Sequence, residues 1–303
     1  MVARFDGGKL TSDAGVLLVA QADRKVGLTA VLAGALADRR QAGKVQHRME
    51  ELLRERIYAS AMGYADANDL TYLRGDPALQ VACGRRPRED EGLASQPTVS
   101  RFENAIRPKE ALRMGLRMAE RVMAQLPKDT QAVTLDVDAT DDACHGQQEG
   151  EAFNAYYDEH CYLPLYLHVT DEQGRRRQVG ALLRPGNASA TQGLFGLLRR
   201  ASRLLRRRFP GVQIRLRADS GFGVASVLAW CEAHGIDYLL GVKSNSRLQT
   251  LSTPVQMDAA LKYRWEGDGC REYGEFGYKA RSWPQQRRVI VKAEITRGEL
   301  NPR

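Results

Sequence analysis

The spacing of apolar positions changes character near residue 131. Before it the period is helical. In HRMEELLRERIYASAMGY, Met49, Leu52, Leu53, Ile57 and Met62 recur every three to five residues and predict a helix stopped by Gly63. DANDLTYLRGDPAL reads as two short helical turns around Gly75 and Pro77. The polar stretch GRRPREDEGLASQ reads as a loop, after which Ser95 can cap a helix beginning near Pro97. PKEALRMGLRMAERVMAQL then puts Leu112, Leu116, Ala119, Met123 and Leu126 on one core-facing stripe.

After residue 131 the pattern alternates. VTLDVDAT sets Val133, Leu135 and Val137 on one face of a strand and Asp136 and Asp138 on the other. YLPLYLHVT and RQVGALLR flank DEQGR, which predicts a hairpin. QGLFGLLRRASRLLRRRF predicts a helix with Leu197, Leu198, Leu204, Leu205 and Phe209 inward and a basic face outward. VQIRLRADSGF reads as a strand ending in a Ser-Gly turn, VASVLAWCEAHG as a helix and IDYLLGVK as a short buried strand. Residues 264–295 read as further β structure. Strand, hairpin, helix, strand, helix, strand belongs to a mixed α/β layer. The predicted organisation is a helical region over 1–130 and an α/β region over 131–303.

Composition narrows the class. With 303 residues, 43% apolar and 27% charged, the chain can bury a sizeable core as two packed units. No stretch approaches the roughly 18 apolar residues of a membrane span, and MVARFDGGKL lacks the apolar run of a secretory signal. The five cysteines form no CxxC pair, so a cytoplasmic protein with reduced structural thiols is expected. Forty-five Lys and Arg against 37 Asp and Glu leave +8, a surplus that favours a polyanionic partner.

Carboxylates are depleted in strands and costly to bury, so Asp136 and Asp138 on one strand face call for a cation. A hard divalent ion with oxygen ligands would supply it. Asp219 ends a second apolar strand, on the face opposite Ile214 and Leu216. If those strands are neighbours, their carboxylates converge at the strand ends, where ligands gather in such sheets. Alternatively, Asp219 is only a turn former, as Asp141 and Asp142 are expected to be.

The block LDVDATDDACHGQQEGEAFNAYYDEHCYLPLYLHV followed by LRADSGF resembles bacterial insertion-sequence transposases of the DDE superfamily, transposase DDE domain group 1. FDGGKLTSDAGVLL, LADRR with His47, GYADANDLTYLRGDPAL and ASQPTVSRFEN carry the resemblance through the amino-terminal half. It implies a ribonuclease-H-like mixed sheet flanked by helices, with a helical amino-terminal region and a late β-rich insertion. It also implies three catalytic carboxylates binding Mg²⁺, with Mn²⁺ as substitute. Asp138, in Asp-x-Thr context with Thr140, matches the first, with Asp136 the alternative on the same face; Asp219 matches the second. The third is a Glu on a helix after the insertion. Glu294 lies in a strand-like run and Glu299 in a Gly/Pro-flanked tail, so the expectation is a truncated chain whose third carboxylate lies beyond Arg303.

Double-stranded DNA, as terminal inverted repeats and target, is the implied partner, bound by a homo-oligomer in the bacterial cytoplasm at the nucleoid. Arg101 and Asn104 on SQPTVSRFEN are candidate DNA contacts, either on a recognition helix or on a plain capped helix. Arg199, Arg203, Arg206 and Arg207 on the basic helix face, and Lys243 and Asn245 after a strand, are further candidates. His145 and Gln147 follow the first Asp closely and are candidates for the scissile phosphate or for structuring the hairpin. Two functions are consistent with these residues: metal-dependent cleavage and strand transfer at insertion-sequence ends, or inactive end binding that inhibits an intact transposase.

Overall fold

A computed structural model describes residues 10–87 and 91–297. Two compact units result: one contains 1–130, 166–182 and 196–211, the other 131–165, 183–195 and 212–303.

Helices dominate the first unit: α1 (Val16–Val26), α2 (Leu28–Ala33), α3 (Met49–Ala61), α4 (Leu70–Leu73), α5 (Pro77–Ala82), α6 (Gln96–Ala105) and α7 (Pro108–Met123). Their periodic residues Leu52, Leu53, Leu70, Leu79, Val99 and Phe102 close one apolar core. Ser95 stands at the N-cap of α6 and Asp76 caps α5 by accepting from Leu79 N–H at 2.8 Å. The α7 stripe is buried only at its carboxyl end, at Ala119 and Met123; Leu112 is 43% exposed.

The α/β part begins with β1 (Ala132–Ala139), followed by three short strands, β2 (Asp142–Ala143), β3 (Ala152–Asn154) and β4 (Glu159–Tyr162). Next come β5 (Leu165–Thr170), β6 (Arg176–Leu182), α8 (Leu194–Arg208), β7 (Gln213–Ala218), α9 (Ala225–Ala233) and β8 (Asp237–Leu240). The main sheet has the order β6-β5-β1-β7-β8, with β1, β7 and β8 parallel. The five residues joining β5 to β6 can only make a hairpin, and α9 provides the crossover that parallel β7 and β8 require. This is the ribonuclease-H-like mixed sheet expected. Buried Leu198, Ala201 and Leu205 with exposed Arg199, Arg203 and Arg206 make α8 amphipathic as read.

Two elements were not legible. Strands β2, β4 and β3 form a separate three-stranded antiparallel sheet. Residues 246–263, which the sequence pattern assigned to no element, and 264–266, read as β, form the 21-residue helix α10 (Ser246–Glu266). Ser, Thr and the internal Pro254 conceal it, since proline removes a helical hydrogen bond at a cost of about 3 kcal/mol. Packing compensates. The helix lies on the hairpin of β9 (Cys270–Tyr278) and β10 (Arg287–Ile295), burying Ala259 against Cys270, Ala293 and Ile295. Gly274 is needed there, because a Cβ would stand 2.3 Å from a Val255 methyl. Among the described residues no helix is long and apolar enough to cross a membrane.

Candidate active site at the carboxyl ends of two parallel strands

Strand register builds the site. Val133 pairs with Ile214, Leu135 with Leu216 and Asp136 with Arg217. These apolar residues are buried, which fixes the pleat of both strands. The pairing ends at Asp136 and Arg217; Asp138 follows two residues later on β1, and Asp219 stands just past the last residue of β7. Both carboxylates are exposed.

The turn after β7 orients Asp219. Its Oδ1 accepts the Gly221 N–H at 2.9 Å, and Phe222 is buried beneath the turn. Glycine backbones hold the turn against the end of β8. A Cβ on Gly241 would lie 2.6 Å from Ser220 N, and one on Gly223 would lie 2.1 Å from the Gly241 carbonyl oxygen. The SGFG sequence therefore sets Asp219 by close backbone approach.

Asp136 differs. It is 6% exposed, and its Oδ1 accepts from Arg217 Nε at 2.5 Å across the β1–β7 pair. The guanidinium pKa is raised by this bond and by the carboxylate's charge. The cation that the sequence demanded for Asp136 is supplied by the protein itself.

The other expected residues are dispersed. Thr140 lies just past β1, its N–H bonded to the Pro164 carbonyl at 3.3 Å. His145 and Gln147 are exposed on the β2–β3 connection, and no hydrogen bond or ion pair among the described residues links them to Asp138 or Asp219. Lys243 is exposed two residues beyond Gly241. Asn245 is a helix cap: its Oδ1 accepts Leu248 N–H at 3.0 Å and its Nδ2 donates to the Tyr278 hydroxyl at 3.0 Å. Glu294 lies on β10, held below the usual carboxylate range by Lys292 and Arg271. Glu299 lies outside the described residues. No cluster of three or more His, Cys, Asp and Glu suited to a metal ion occurs among the described residues.

A second polar site, in the helical unit, was only half visible in the sequence. Arg101 and Asn104 line a groove of about 860 Å³ together with Arg39, Arg40, Lys44, His47 and Arg107. Glu110, 4% exposed, holds its wall: it accepts from Arg107 N–H at 3.1 Å, from Arg39 Nη2 at 2.8 Å and from Ala37 N–H at 3.0 Å. Those three donors hold its pKa down to about 2. Two groove arginines, Arg39 and Arg40, have acidic partners in Glu110 and Asp38. On α8, Arg207 faces Glu120 at 3.6 Å, while Arg199 and Arg203 are exposed.

Over residues 1–303 the sequence matches the family described as transposase DDE domain group 1. The chain belongs to that family. No curated protein sequence matches it. Solved structures similar to this DDE domain include the piggyBac transposase synaptic complex with hairpin DNA, 11% identical, covering 95% of this chain and 63% of that one at a TM-score of 0.37. The Drosophila P element transposase strand transfer complex is 10% identical, covering 71% of this chain and 48% of that one (TM-score 0.27). The HTLV-2 integrase catalytic core domain in complex with magnesium is 12% identical, covering 44% and 72% (TM-score 0.22).

Proposed function

We propose that this DDE-family chain cuts and rejoins DNA at insertion-sequence ends, with Asp138 and Asp219 as the paired catalytic carboxylates. What supports this reading is the parallel β1–β7 pairing, with exposed Asp138 two residues beyond Asp136 and exposed Asp219 two residues beyond its partner Arg217. Their donor set fits Mg²⁺, which keeps several waters and takes one or two carboxylates with substrate phosphate oxygens. When bound, such an ion lowers the pKa of a nucleophilic water or hydroxyl and stabilises charge on the phosphoryl oxygens.

The protein's own part is placement. Strand β1 fixes Asp138, and the Gly221 N–H fixes the Asp219 rotamer, so both carboxylates face incoming phosphate without reorganising. Asp136, paired with Arg217, ties β1 to β7. Lys243 and the exposed α8 arginines are assigned to the DNA backbone, and the groove around Arg101 to duplex DNA.

The locked state of Glu294 favours one further reading, in which the chain binds DNA ends without cutting them. Magnesium-dependent cleavage of a labelled terminal-repeat duplex decides between the two. Asp138→Asn and Asp219→Asn should each lower cleavage by about 10³-fold or more, the several kcal/mol that metal-held charge contributes, with binding in a gel shift unchanged. Cleavage by either variant at the wild-type rate removes that residue from the site. Binding without cleavage by the unmodified chain supports the second reading.

A further inference from the structure

Hairpin β3–β4 turns through Ala155, Tyr156, Tyr157 and Asp158, and the turn is braced at every residue but the first. Asn154 Oδ1 accepts the Tyr156 N–H at 2.9 Å and the Tyr157 N–H at 3.4 Å, and its Nδ2 donates to the Gly186 carbonyl at 2.7 Å. Asp158 takes the left-handed conformation, φ +58°, and its N–H returns to the Asn154 carbonyl at 2.8 Å. That conformation costs a non-glycine residue about a kcal/mol or more, so the turn is held by its surroundings. On this frame Tyr156 is 87% exposed and Tyr157 37%, with the rings 4.9 Å apart and perpendicular.

Single exposed aromatic residues are ordinary. Two adjacent rings, fixed edge to face on a turn this constrained, contribute little to any core and present a free π-face to solvent. The chain connects this turn to Asp138: β1, which carries Asp138, ends at Ala139, Asp141 follows, and β2 begins at Asp142 and pairs with β4, the strand that leaves the turn. Burial pushes the Tyr157 phenol above its ordinary pKa, and the charges of Asp141 and Asp138 add to the effect.

We propose that Tyr156, steadied by Tyr157, is a stacking platform for an unpaired base of the DNA strand entering the Asp138–Asp219 site. The inference rests on the DNA-cleavage reading above. Charge selects the base over the backbone: residues 149–163 contain Glu149, Glu151, Asp158 and Glu159 and no Lys or Arg, a surrounding that repels phosphate. A neutral base meets no such penalty, and an aromatic face accepts any base. Because a stacked duplex exposes only base edges in its grooves, the platform requires a base out of the stack.

The test compares the full chain on two fluorescein-labelled DNAs by anisotropy, a blunt duplex and the same duplex with a short oligo-dT tail. Tyr156→Ala should bind the tailed DNA about fivefold or more weaker than wild type, the equivalent of ~1 kcal/mol for one stacked base, with blunt affinity unchanged. Tyr156→Phe should retain wild-type affinity, because the ring and not the hydroxyl carries the contact. Tyr156 is exposed, so neither change threatens the fold. Equal tail affinity for wild type and Tyr156→Ala, or a Phe variant as weak as the Ala one, overturns the platform while DNA binding stands. Failure of wild type to bind either DNA overturns the platform together with the reading beneath it.

Discussion

Buried carboxylates are handled differently in the two units. In the sheet, Asp136 meets Arg217 because parallel register puts position 136 opposite 217, a local rule that two strands obey along their length. In the helical unit, Glu110 draws its three donors from residues 37, 39 and 107, and Glu55 gathers around it residues from three segments. Glu55 is fully buried on α3. Its Oε2 accepts the Ala94 N–H at 3.1 Å, and its Oε1 has no partner among the described residues. Burial, with the neighbouring Glu51 charge, pushes its pKa up to about 8 despite Arg74 and Arg85 nearby. Asp136 and Glu110 are neutralised by pairing, from one facing strand in the first case and from distant segments in the second; Glu55, short of donors, is left to a proton.

The largest effect expected from that contrast is on stability against pH. Glu55 is raised from an ordinary 4.5 to about 8, so between those values the folded chain holds a proton that the unfolded chain releases. Its stabilising contribution is complete below pH 4.5 and is lost as pH rises through 8, on the order of 5 kcal/mol across the window. Glu55→Gln mimics the protonated form and should flatten the curve. Urea unfolding at pH 5, 7 and 9 reads it: the variant should be the more stable protein at pH 9, and parallel pH curves would refute the assignment.

The same contrast explains what could be read from the sequence. The faces of Asp138 and Asp219 were readable because alternation fixes a strand's face, and the buried apolar partners Val133–Ile214 and Leu135–Leu216 confirm the pleat of both strands. The mixed α/β class followed from the same periodicity, while the particular sheet was only what the family resemblance implied. The partner of Asp136 was not legible: nothing in one strand's pattern says that Arg217 lies across from it. In the groove, Arg39, Arg40 and Lys44 stand some sixty residues from Arg101 and Asn104, a separation that no helical period encodes. The small sheet escaped because β2 is two residues long and β3 three, too short for alternation to register. Helix α10 escaped because its stability comes from the hairpin beneath it, with Pro254 arguing locally the other way.

Backbone contact at the strand ends gives a sharper, smaller test. Gly241→Ala would place a Cβ 2.6 Å from Ser220 N and 3.0 Å from Ser220 Cα, atoms that cannot yield without moving the turn that carries Asp219. Overpacking of this kind costs about 1–3 kcal/mol. The expected signature is a modest fall in Tm with a much larger proportional loss of cleavage, since Asp219 shifts while the core survives. A loss of stability without loss of cleavage would separate the SGFG turn from the site.

The smallest effect separates two residues only two positions apart that look alike in the sequence. Lys243 and Asn245 both follow β8 and both suit a DNA backbone, yet Asn245 has its amide oxygen on the Leu248 N–H and its amide nitrogen on the Tyr278 hydroxyl. Asn245→Ala should therefore cost about 1 kcal/mol as a lost helix cap and leave DNA affinity and its salt dependence where they were. Lys243→Ala should do the reverse: stability unchanged, and a shallower slope of log affinity against log salt by about one, as expected for one phosphate contact. Salt titrations of the two variants read both outcomes at once. A reduced slope for Asn245→Ala would show that the cap also reaches DNA, and the strand-end site would then extend onto the first turn of α10.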